Sequence, residues 1–179
     1  MLTIIEREHP KVAIEAALRE RLGRLVCAAL GVPYIAGATM SAWTVYGSFI
    51  EKLGNKLIDL DTDTFKALLV TSAYTPNAGT HDELADVSAN QAANSSTVTI
   101  TSPAWTRSGA TSTWDVADIT FTASGGTATA RYVVIYDDTP TGDPLVCYAT
   151  LDNTPADVSI ANGDSLVIQI NASGVLTAA

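Results

Sequence analysis

The chain has 179 residues, of which 47% are apolar, 16% charged and 7% aromatic, and its formal net charge is −9. That length suits one domain with an appendage, and the apolar content can fill a core without metals or disulfides. Residues 1–39 carry five Arg/Lys against four Glu, whereas residues 40–179 carry five bases (Lys52, Lys56, Lys66, Arg107, Arg131) against fifteen acids, a net of −10; so few bases cannot neutralise a run of phosphates, which argues against direct nucleic-acid binding.

At the N-terminus, Glu6, Glu8 and Glu15 precede any apolar run, and Leu22 to Ala38 is broken by Arg24, Gly31 and Pro33. Neither a signal peptide nor a membrane span is expected, which points to synthesis and assembly in a cytoplasm. Lys11 to Leu30 reads as one amphipathic helix. Leu18, Leu22, Leu25 and Ala29 fall on one stripe, Pro10 suits the first turn, and Gly31 with Pro33 supplies the stop. Glu15 with Arg19 and Glu20 with Arg24 are spaced i, i+4, and each pair adds roughly 0.2–0.5 kcal/mol to the helix. The leucine stripe needs a cover, either the chain's own body or another subunit. A linker rich in Gly, Ala and Pro follows, and Met40-Ser41-Ala42-Trp43 has the look of a translation start. Residues 1–39 therefore read as a helical extension and linker ahead of a body that begins near Met40.

Residues 40–64 form a second zone. Tyr46, Phe49, Ile50 and Leu53 fit helical spacing, and Gly54-Asn55 ends the pattern, so a short helix or arm on one edge of the body is expected. From residue 65 onward, short strand signals alternate with turn chemistry: Phe65 to Thr71, Thr97 to Thr101, Ile119 to Thr122, Ala128 to Tyr136, Leu145 to Leu151, Val158 to Ile160 and Leu166 to Ile170. Asn162-Gly163 is a two-residue hairpin signal between the last two. This cadence argues for a mainly β fold, an antiparallel β-sandwich of Ig-like or jelly-roll-like type over residues 65–179.

Candidates for chemistry are few. His9 precedes the helix and His81 lies in a polar loop with no second His or Cys nearby, so a zinc site lacks ligands. No Ser occupies a G-x-S-x-G turn. Cys27 and Cys147, about 120 residues apart, read as small buried hydrophobes. Asp59, Asp61 and Asp63 invite a calcium reading, with Asp137, Asp138 and Asp143 as a second acidic set. The first run lacks the loop glycine and the distal glutamate of a calcium loop, and a solvated approach to a strand with one Asp capping a turn accounts for it. Neither metal nor cofactor is therefore expected, nor a catalytic residue. Trp105 and Trp114 flank a Ser/Thr/Gly-rich hairpin and could form a carbohydrate platform if exposed, or core or subunit interface if covered. Arg131, inside the most apolar strand, calls for a carboxylate partner such as Asp118 or Asp152.

Four segments in fixed order carry a resemblance: Asp61-Thr62-Asp63-Thr64-Phe65-Lys66-Ala67-Leu68-Leu69-Val70-Thr71-Ser72-Ala73-Tyr74-Thr75-Pro76-Asn77, His81-Asp82-Glu83-Leu84-Ala85-Asp86-Val87, Ala130-Arg131-Tyr132-Val133-Val134-Ile135-Tyr136-Asp137-Asp138, and Asn171-Ala172-Ser173-Gly174-Val175. Together they make the region from Trp43 to Leu176 resemble small virion structural proteins of tailed bacteriophages. The resemblance implies a non-enzymatic role in the particle, as a head decoration protein or, alternatively, a tail or baseplate component or a displayed receptor- or carbohydrate-binding module. It also implies assembly in the host bacterial cytoplasm, homo-oligomerisation, and other virion proteins as partners. Leu18, Leu22, Leu25, Trp43, Tyr46, Phe49 and Ile50 are the residues expected at subunit interfaces.

Overall fold

The structure, a computed structural model, describes residues 40–179. The expected helix with Leu18, Leu22 and Leu25, together with His9 and Cys27, lies outside the described residues. In chain order the elements are β1 (Thr44–Val45), α1 (Gly47–Gly54), β2 (Phe65–Val70), α2 (Ala85–Ser88), β3 (Val98–Thr99), β4 (Ala104–Ser108), β5 (Thr111–Asp115), β6 (Ile119–Thr122), β7 (Ala128–Ala130), β8 (Tyr132–Asp137), β9 (Leu145–Thr150), β10 (Val158–Ile160), β11 (Ser165–Ile168) and β12 (Leu176–Ala178). The described chain is mainly β, with four antiparallel sheets ordered β1-β9-β8-β2-β3, β10-β7, β11-β6 and β12-β5-β4, none of which closes into a barrel. Among the described residues no helix is long and apolar enough to cross a membrane.

The unbroken apolar runs in β2, β8 and β9 have a physical cause. A strand with one wet face alternates, whereas a strand covered on both faces does not. From β2, Leu68 and Val70 join Tyr46, Tyr74, Val87, Val134, Tyr136 and Leu145 in one buried cluster. Phe65, Ala67 and Leu69 alternate with them and are equally buried, and Phe65 meets Trp114 of β5 edge-on at 4.8 Å between ring centres. The five-stranded sheet is thus covered by the arm and the Tyr74–Val87 excursion on one side and by the β4–β5 hairpin on the other.

Three sequence expectations need correction. The run from Ala128 to Tyr136 is not one strand: it divides at Arg131, with β7 pairing with β10 and β8 pairing with β2 and β9. Arg131 keeps the ladder satisfied at the corner, donating its N–H to Val70 O at 2.8 Å and accepting from Leu151 N at 2.8 Å. Its guanidinium pairs with Asp157 at 2.8 Å, not with Asp118 or Asp152, and Ser72 Oγ donates to the other oxygen of that carboxylate at 3.1 Å. Asn162-Gly163 does make a tight turn, with Gly163 at φ 88° and Asp164 N bonded to Ala161 O at 2.9 Å. The flanking strands do not pair with each other, however. β10 sets Val158 and Ile160 opposite Ala130 and Ala128, large against small, while β11 pairs with β6 and sets Leu166 opposite Phe121. Cross-strand packing outweighs the local turn in choosing partners. Cys147 is a buried free thiol whose pKa burial pushes up.

Candidate interaction surface

The arm is built into the body at its start. Thr44 and Val45 form an edge strand on β9, opposite Tyr148 and Cys147, and Tyr46 N donates to Val146 O at 3.1 Å. No side chain caps the N-terminus of α1; instead Gly47 N donates to Ala78 O at 2.7 Å. A Cβ on Gly47 would lie 3.1 Å from that carbonyl, so the close approach suits glycine. Tyr46 and Phe49 are buried at 0% and 2% exposure. The Tyr46 ring tilts onto Tyr148 at 5.2 Å, and its hydroxyl lies 3.0 Å from that of Tyr74, which lies 2.7 Å from His81 Nδ1. Asn77 N also reaches that Nδ1 at 3.4 Å, and since a backbone N–H can only donate, Nδ1 is the acceptor and the ring proton sits on Nε2. The chain therefore runs Tyr46 OH to Tyr74 OH to His81. Burial, then the bond to Tyr74, pushes the Tyr46 hydroxyl far above the ordinary phenol range, so it stays protonated as a structural donor.

The far end of α1 is equally defined. Lys56 N donates to Leu53 O at 3.1 Å and Leu57 N to Lys52 O at 2.9 Å, the paired bonds of a Schellman motif, with Lys56 at φ 59° in the left-handed position that glycine usually fills. Lys52 Nζ donates to Asp82 O at 2.9 Å and ties the helix to the loop before α2. Tyr46 and Phe49 are turned inward, whereas Ile50 is 62% exposed and Leu57, just past the helix end, 46% exposed; Leu53 is half-buried.

Beside Leu53 lies an open groove of about 270 Å³, also lined by Lys56, Ile58, Leu60, Asp61 and Trp105. The acidic run that forms its floor is held by its own turn chemistry. Asp59 Oδ1 accepts from Asp61 N at 3.0 Å and Thr62 N at 3.3 Å, an Asx turn whose N–H groups hold the Asp59 carboxyl below its ordinary range. Asp61 Oδ1 accepts from Trp105 N at 2.9 Å, and Asp63 Oδ2 accepts from Asp59 N at 2.7 Å. The turn-capping role expected of one Asp thus belongs to Asp59. Among the described residues no group of three or more Asp, Glu, His or Cys side chains is arranged to hold a metal.

Trp105 and Trp114 are directly paired across the β4–β5 hairpin, but they differ in environment. Trp114 is fully buried and its Nε1 donates to Leu60 O at 3.1 Å, whereas Trp105 is half-buried at the groove. The two indoles do not form an exposed platform. Trp43, also half-buried, borders a separate groove of about 450 Å³ with Met40, Gln169, Asn171, Val175 and Thr177.

Of the expected interface residues among the described ones, Tyr46 and Phe49 are therefore internal anchors, Trp43 lines a groove, and Ile50 faces solvent. Leu57 and Trp105 were missed as members of the same surface. Leu57 follows the left-handed Lys56 that ends α1, so helical periodicity does not place it, and Trp105 arrives only through the hairpin's tertiary position.

No family model and no solved structure matches the chain. Over 87 residues it is 34% identical to pyridoxal-dependent decarboxylase domain-containing protein 1 of Danio rerio, covering 46% of this chain and 12% of that protein. The chain thus spans about one eighth of the length of the curated relative it matches.

Proposed function

We propose that this chain is a non-enzymatic structural protein of a tailed-phage virion, a capsid decoration subunit that binds other virion subunits and its own copies. In this reading the packed sheets form an antiparallel β-sandwich of Ig-like or jelly-roll-like type, and the protein assembles onto the particle in the host cytoplasm. The observation that carries the proposal is the division of the arm: Tyr46 and Phe49 lock α1 to the body, while Ile50 on the helix and Leu57 just past its end are left in water, and Leu53 borders an open groove. A rigidly held helix that leaves Ile50, and Leu57 just past its end, in water is a docking element, because each Ile or Leu removed from water on contact contributes roughly 1.5–3 kcal/mol. The segments of sequence resembling small phage virion proteins support the same reading, and the acidic body adds complementarity toward basic partner surfaces.

Imaging of particles carrying a labelled copy of the chain tests the proposal. Density at capsid lattice points is the expected result; a ring along the tail would move the protein to the tail, and absence from the particle would end the structural reading. Substituting Ile50→Glu should leave the isolated protein folded while reducing its incorporation into particles.

A further inference from the structure

Asp137, at the end of β8, is the only charged side chain among the described residues that is fully buried, at 0% exposure. Its Oδ1 accepts from Thr139 N at 2.9 Å, while its Oδ2 is buried with no donor. The chain that runs alongside carries a second carboxyl: Phe65 pairs with Asp137 and Asp138 N donates to Thr64 O at 2.8 Å, which brings Asp63 next to the end of β8. Two ionised carboxylates brought side by side at a buried, unpartnered oxygen repel each other and have no donor between them; a proton on Asp137 supplies both the missing donor and the missing neutralisation.

The surroundings offer no alternative counter-charge. From β2, Lys66 Nζ is committed to Asp138 at 2.6 Å. The turn before β9 brings Asp143, another acid, near Lys66 and Tyr136, and its Pro144 carbonyl already accepts from Asp137 N at 2.9 Å. In the loop, Asp63 Oδ2 takes the Asp59 N–H and the Asp61 carboxylate takes the Trp105 N–H.

The position of this pair gives it consequence. The Asp59–Thr64 loop joins three parts of the body: Leu60 O accepts from Trp114 Nε1, Asp61 from Trp105 N, and Thr64 N donates to Thr139 Oγ1 at 2.8 Å while Thr64 O accepts from Asp138 N at 2.8 Å. The same loop supplies the Asp59, Leu60 and Asp61 lining of the groove beneath α1.

We infer that a proton held on Asp137 and presented toward the Asp63 carboxyl forms an acid-closed latch, which holds the Asp59–Thr64 loop, and with it the groove beneath α1, against the end of β8. When the proton leaves, the two carboxylates push apart and the loop loosens.

Burial first, then the neighbouring Asp63, pushes the Asp137 carboxyl up to about 7, against the opposing pull of the Thr139 N–H. An unfolded Asp titrates near about 4, so between about 4 and 7 the folded chain holds the extra proton. The latch is therefore fully stabilising below that window, weakens as pH rises through it and is lost above it. Asp59, Asp86 and Asp152, whose carboxyls are held low by backbone N–H bonds, act in the opposite sense at more acid pH, so the informative range is about pH 5 to 8.

The test uses the full chain, with melting temperature and amide exchange followed across about pH 5 to 8. For the native protein the melting temperature should fall as pH rises. Exchange of the Asp59–Thr64 amides, corrected for its intrinsic pH dependence, should accelerate by at least about tenfold. Asp137→Asn replaces that proton with a permanent amide donor and should abolish both trends; should that variant not fold, Asp63→Asn removes the same repulsion from the exposed side and should flatten them too. Trends that persist unchanged in a folded variant would overturn the latch. So would calcium at pH 8 restoring loop protection beyond a sodium control of equal ionic strength, since a cation would then occupy the place assigned to the proton.

Discussion

Within residues 46–57, apolar side chains of one chemical kind meet two fates. Tyr46 and Phe49 disappear into the body, whereas Ile50 and Leu57 stay in water. Helical spacing does not separate them, since a 3.6-residue period puts 46, 49, 50 and 53 on one stripe; Tyr46 is extended at the helix N-cap and Leu57 lies past the left-handed Lys56 that ends α1, so packing against the body decides which are covered. The difference teaches that apolar character marks a residue for contact without saying with what. The inner pair is satisfied by the chain itself, and the outer pair stays in water.

That contrast can be broken by substitution. Phe49→Ala should give the largest effect, a loss of about 3–5 kcal/mol in chemical denaturation, because it removes a fully enclosed ring and leaves a cavity. A loss under about 1 kcal/mol would mean that the arm is not anchored as described. Tyr46→Phe keeps the ring and deletes only the hydroxyl at the head of the Tyr46–Tyr74–His81 chain; about 0.5–1.5 kcal/mol should be lost, with no change in fold by circular dichroism. Lys56→Gly should move the other way, gaining about 0.5–1 kcal/mol, because glycine occupies the left-handed position at the helix end without strain. Smallest of all, Ile50→Glu should change the stability of the isolated chain by no more than about 0.5 kcal/mol, as expected for an exposed side chain. Its effect should appear only in particle incorporation, which would place the role of Ile50 outside the monomer.

The sequence was most informative where a signal is local. Tyr46, Phe49, Ile50 and Leu53 followed by Gly54-Asn55 mark α1, and the observed helix ends at Gly54. Phe65 to Thr71 marks β2 almost residue for residue. It failed where strands compete for partners. Nothing in Ala128 to Tyr136 distinguishes one long strand from two short ones, because both halves are apolar; the break at Arg131 comes from different sheets claiming the two sides. Likewise Asn162-Gly163 was rightly a turn, but a turn does not oblige its flanking strands to pair. The two acidic sets were both visible, as Asp59-Asp61-Asp63 and Asp137-Asp138-Asp143, yet their proximity was not. Asp63 comes next to Asp137 only because β2 and β8 align with Phe65 opposite Asp137.

Composition, periodicity and turn residues thus determine by themselves that this chain is mainly β from Phe65 onward, that a short helix precedes it, and that its surface is acidic, since each depends on the identity and near-neighbour spacing of side chains. Which Trp is core and which borders a groove, which Asp is stranded out of water, and which apolar residues remain exposed were decided only by tertiary structure. Burial is a property of the faces that long-range pairing brings together, and identical side chains acquire opposite roles according to which face that is.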